Sequence, residues 1–112
     1  MDSQRNYAEI LTRVLRQAAT PQPRLQPLRI SAVCDAEAGQ FLIILTGWDK
    51  DRWLNTILFH ARLANGKVII EDDNFEEGIA ADLIAAGIAV DDIVTSLLEQ
   101  KQQGERPTAY IA

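Results

Sequence analysis

Apolar residues Tyr7, Ile10, Leu11, Val14, Leu15 and Ala18 recur at three- and four-residue steps, one face of a 3.6-residue period. That spacing predicts an amphipathic N-terminal helix, stopped by Pro21, Pro23 and Pro27. The period then changes to two. Leu28, Ile30, Ala32 and Cys34 alternate with Arg29, Ser31 and Asp35, which predicts a half-buried strand, and Asp35–Gly39 supplies a turn. Phe41-Leu42-Ile43-Ile44-Leu45 is apolar at every position and predicts a strand covered on both faces. A turn around residues 47–51 leads to a long strand from about Arg52 to Leu63. In strict alternation, Trp53, Ile57, Phe59, Ala61 and Leu63 would share one face, with Arg52, Thr56, His60 and Arg62 on the other. Asn65-Gly66 predicts a two-residue hairpin loop into a fourth strand, Lys67–Glu71.

The acidic segment 71–77 leads into a second helix, with Ile79, Ala80, Leu83 and Ile84 inward and Gly87 at its C-terminal end. A third, short helix is expected from about residues 90–92, carrying Ile93, Val94, Leu97 and Leu98. Residues 100–105 are polar, and Tyr110-Ile111-Ala112 would suit a short edge strand. The expected fold class is α+β: an N-terminal helix, a four-stranded antiparallel meander sheet and two C-terminal helices packed on the sheet. A chain of 112 residues suits one domain spanning 1–112.

Charge changes this picture more than composition does. The net charge of −5 is divided unevenly, with +3 on residues 1–67 and −8 on residues 68–112. Phosphate binding runs on clustered Lys and Arg, so direct nucleic-acid binding is disfavoured. No apolar run is long enough for a membrane-spanning helix, and the first five residues lack a signal-peptide design. The single cysteine, Cys34, has no intrachain disulfide partner, which fits a cytoplasmic location.

Candidate chemistry is sparse. Asp72, Asn74 and Glu76 alternate as in a calcium loop, but Glu77 and Leu83 stand where that loop needs glycine and a bidentate glutamate. A solvated turn beside a helix N-terminus is the better reading. His60, the one histidine, has no metal or nucleophile spacing around it; a structural role outweighs a catalytic one. Cys34 reads as a packed thiol. Arg5, Arg13 and Arg16 are too few to make a DNA-reading helix. Trp48 and Trp53 flank one turn and suit either a core or an interaction surface. No catalytic residue, metal site or cofactor is predicted.

One constellation is more specific. Gly47-Trp48, Arg52, His60, Gly66-Lys67, Val68-x-Ile70, Asp73, Glu76, Gly78-Ile79-Ala80, Leu83, Gly87-Ile88 and Asp92-Ile93-Val94 together resemble the XisI family, the fdxN element excision controlling factors. The opening Tyr7-x-x-Ile10 and the closing Arg106, Thr108 and Tyr110 extend the resemblance over almost the whole chain. Asn74-Phe75 replaces the family's usual Gly-Thr, and Ala89 stands where proline is common. The resemblance implies a non-enzymatic cyanobacterial accessory protein linked to DNA-element excision in heterocyst differentiation. It implies a XisH-like, nuclease-fold protein as partner, and marks Trp48, Arg52, His60, Asp73, Glu76 and Arg106 as candidate partner-binding or motif residues. A homodimer is also compatible with the sequence. The alternatives are a DNA-binding recombination directionality factor, or a small enzyme using His60.

Overall fold

The structure, a computed structural model, describes residues 2–20 and 28–95. Helix α1 (Asp2–Ala18) is followed by strands β1 (Arg29–Asp35), β2 (Gln40–Asp49), β3 (Arg52–Ala64) and β4 (Lys67–Asp73). A short helix α2 (Ala80–Ala85), a 3-10 turn (Val90–Asp92) and strand β5 (Ile93–Thr95) complete the described chain. The strands form one sheet in sequence order. The first four run antiparallel, and β5 pairs with β4 in parallel, Val68 opposite Ile93 and Ile70 opposite Thr95.

Helix α1 forms as its spacing predicts, and its apolar stripe packs on one face of the sheet. Leu11 and Leu15 are fully buried against Phe41, Ile43, Phe59, Ala61, Leu63 and Val68, while Ile79, Leu83 and Ile88 close the end of the core. Burying a leucine of that kind is worth roughly 2 kcal/mol. The Asn65-Gly66 loop adopts positive φ at both residues, +55° and +75°, as the hairpin requires.

Four expectations are corrected. The sheet has five strands and is mixed, whereas a four-stranded meander was expected. The third helix is only a 3-10 turn, after which Ile93-Val94-Thr95 runs as a strand. These three β-branched residues are stiff at χ1 and suit a pleated surface, and β4 offers them an unpaired backbone edge. The segment between β4 and β5 is thus the crossover that a parallel pair needs. Finally, the described residues cover the central strand β2 on one side only. Phe41 and Ile43 are buried beneath α1, but Leu42 and Ile44 point to the opposite face and stay half-exposed. The helix α2 also leaves Ile84 outward, 41% exposed. The expected elements at Leu97–Leu98 and Tyr110–Ala112 lie outside the described residues.

Candidate interaction surface

The face of the sheet away from α1 is built by a bulge. Ile43 pairs with Phe59 but Ile44 pairs with Ile57, so Leu58 is an extra residue in β3. Beyond it the alternation inverts. Phe59, Ala61 and Leu63 face the core, whereas Ile57 and Trp53 face outward beside Ile44 and Trp48. This corrects the expectation that Trp53, Ile57 and Phe59 share a face. The hydrophobic pattern of β3 carries no mark of the inserted residue.

An apolar row results. Val33, Trp48, Trp53 and Ile57 are 45%, 53%, 53% and 40% exposed, with Leu42 and Ile44 between them. Trp48 and Trp53 are direct cross-strand partners, and their rings meet edge to face at 5.5 Å and 68°. Pairing of β1 stops at Thr46 and pairing of β4 stops at Phe59. Among the described residues, the hairpin ends Gly47–Asp49 and Arg52–Leu54 therefore have no strand beside them except each other. They form a two-stranded arm. Such an arm is marginal alone, and the tryptophan pair is its main side-chain bond.

The acidic turn sits against the same bulge. Asn74 N–H donates to the Leu58 carbonyl at 2.8 Å, and its Nδ2 donates to the Ile57 carbonyl and to Asp72 Oδ1, each at 3.1 Å. These bonds satisfy carbonyls that the ladder would otherwise leave open. Asp73 turns inward and organises the loop: its Oδ2 accepts from Ile79 N–H at 2.8 Å and its Oδ1 from Phe75 N–H at 3.3 Å. Gly78, at φ +80°, lets the backbone turn back over that carboxylate. Glu76, Glu77 and Asp82 are exposed, and none forms an ion pair with a described residue.

The motif residues thus fall into separate places. Trp48 and Arg52 lie exposed on the arm. His60 is half-buried on the open face, its Nε2 2.7 Å from Gln40 Oε1, with Asp72 opposite it in the ladder. Its neighbour Arg62 pairs with Glu71. Asp73 holds the turn together from inside, and Glu76 stands on its outside. Arg106 lies outside the described residues. Sequence reasoning missed Val33, Leu42, Ile44 and Ile57 as surface residues: Ile57 looks like core until the bulge is known, and the others until the side of the sheet that α1 covers is known.

Among the described residues, His60 has Gln40 and Asp72 beside it. The recess beside α1 is lined by Glu9, Thr12, Arg13, Arg16 and Glu37, on the helix side of the sheet, away from His60. Cys34 packs beneath α1, and burial pushes its thiol above its ordinary pKa, which favours an unreactive protonated sulfur. Among the described residues, no three His, Cys, Asp or Glu side chains are grouped to hold a metal ion. Nor is any described helix long and apolar enough to cross a membrane.

The family model described as XisI protein matches residues 1–109. The chain belongs to the XisI family. Two solved structures from Anabaena variabilis have the same fold. A XisI-like protein is 20% identical over 81% of this chain and 84% of its own, with a TM-score of 0.74. The fdxN element excision controlling factor XisI is 22% identical over 82% of this chain and 89% of its own, with a TM-score of 0.68. No curated protein matches the sequence significantly. For a XisI protein, Asp73 gains a physical meaning as the anchor of the turn before α2, and Gly87 as a residue at φ +123° after it.

Proposed function

We propose that this XisI protein is a non-enzymatic accessory factor, a single cytoplasmic domain that acts in the control of DNA-element excision by binding a XisH-like, nuclease-fold protein. The observation that carries this reading is the exposed acidic rim: Glu76 and Glu77 stand outward on a turn held by Asp73 and Asn74, between Asp72 at the end of β4 and Asp82 on α2. A protein that handles DNA needs a basic groove, and a rigid acidic rim complements such a groove in charge and shape. The fdxN element excision controlling factor with the same fold supports the excision role, and heterocyst differentiation is its expected setting. Residues of the rim would supply specificity and association rate, since opposite charge steers encounter.

The test is a charge reversal on residues that carry no fold. E76K/E77K should fold as the parent does and lose at least about tenfold in affinity for the XisH-like protein of the same genome. Unchanged affinity would refute the rim as the contact. Direct DNA binding finds less support, because the exposed cations among the described residues, Arg13, Arg16, Arg29, Lys50, Arg52 and Lys67, are spread over different parts of the fold.

A further inference from the structure

We infer that the open face of the sheet is a homodimer interface, on which a second copy of this chain stacks with its strands running the opposite way. This goes beyond the accessory role and uses a surface that the acidic rim only borders, at Asp72. Monomeric proteins rarely leave a contiguous apolar face of this kind in water. Here the face runs from the Trp48–Trp53 arm, over Ile44 and Ile57, to Leu42 and Val33.

Three features select a second copy as the occupant. The first is charge. Near a two-fold axis each residue meets surfaces of its own copy, so a charged centre would repel itself. Ser31, Val33, Leu42, Ile44, Thr46, Asn55 and Ile57 are all uncharged, and charge lies around them at Arg29, Asp35, Arg62, Glu71 and Asp72.

The second is the distribution of apolar bulk. The large rings lie at one end of the row, on an arm that has no strand beside it among the described residues. The smaller Val33 and Leu42 lie at the other end, about 20 Å away at ~3.3 Å per residue. A two-fold rotation sets each arm over the other copy's Val33 and Leu42, so one contact is made twice. The third is size. Three strands ~4.8 Å apart and about ten residues long give a flat footprint of roughly 500 Å². Pleating and the polar rim bring this toward the ~800 Å² per partner of a standard interface. Two sheet faces stacked ~10 Å apart form a closed apolar layer, as in a sandwich.

The protein holds only two tryptophans, both on this face, so its emission reports on the interface alone. The experiment is sedimentation equilibrium of the full chain with tryptophan emission followed over the same concentrations. A species of twice 12.5 kDa should form at micromolar concentration, with a blue shift as it forms. I57K and V33K should keep the far-ultraviolet circular dichroism of the parent and weaken association at least about tenfold. In V33K the blue shift should vanish although Val33 lies far from both rings within one copy. V90K, at a residue 63% exposed outside this row, should dimerise as the parent does.

A parent chain that stays monomeric near 1 mM would overturn the inference. So would a dimer indifferent to I57K and V33K. A monomer whose binding to the XisH-like protein is abolished by I57K and V33K would also overturn it, and would give the face to that protein. E76K/E77K leaves this face intact, so failure of the rim and failure of the dimer remain distinguishable.

Discussion

The phenol of Tyr7 donates a hydrogen bond to Asp92 Oδ2 at 2.6 Å and accepts one from Ala89 N–H at 3.3 Å. One side chain near the start of α1 thereby pins the turn that delivers β5 to the sheet edge. Lys67 supports the same carboxylate from β4, 3.4 Å from Asp92 Oδ1. The hydrogen bond from Tyr7 holds the Asp92 carboxyl below its ordinary value of 3.8 and raises the phenol above its ordinary 10.0.

The pH dependence of that bond has a definite sign. A depressed carboxyl contributes stability above pH 3.8 that is lost as pH falls through its folded value; a raised phenol contributes stability below pH 10.0 that is lost at higher pH. Y7F should therefore be less stable than the parent on a plateau between these limits, with the gap narrowing in acid and in strong base. Urea unfolding across pH checks this, and a gap that stays the same from neutral pH through strong acid and strong base would contradict it.

Asp73 accepts two backbone N–H groups within the turn, in the manner of a helix-capping carboxylate. D73A should cost about 1–2 kcal/mol of stability. Faster amide exchange confined to residues 74–79 would mark the cause as local. A loss spread evenly over the sheet would count against this role.

Gly39 takes φ +70°, and a Cβ there would lie 2.7 Å from the Leu63 backbone oxygen. The Gly39 carbonyl also accepts from Leu63 N–H at 2.9 Å, so the turn cannot swing away without breaking a sheet bond. G39A should destabilise by at least ~2 kcal/mol in thermal or urea unfolding. At Gly66, φ is +75° but the space is open, so G66A should cost less, about 1 kcal/mol.

Much of the fold was legible from period alone. Tyr7, Leu11 and Leu15 announce α1, the alternation from Leu28 to Cys34 announces β1, and Asn65-Gly66 announces its hairpin. Ile93-Val94 was misread because its apolar pair fits a helix as well as a strand; β-branching and the open edge of β4 decide the matter, and the edge is not a local property. The candidate surface was harder still. Trp53 and Ile57 reach it only because Leu58 is an unpaired insertion, and pairing register is not written in one strand. Asp73 was legible only as a motif position. That its carboxylate folds inward to Ile79 N–H, leaving Glu76 outside, needs the three-dimensional turn.

The most direct test of the central claim is co-purification of this XisI protein with the XisH-like protein of the same genome, at moderate and at high salt. The rim-to-groove account predicts a stable complex at moderate salt that weakens steeply as salt screens the charges. A well-folded chain that forms no complex at either salt would contradict it.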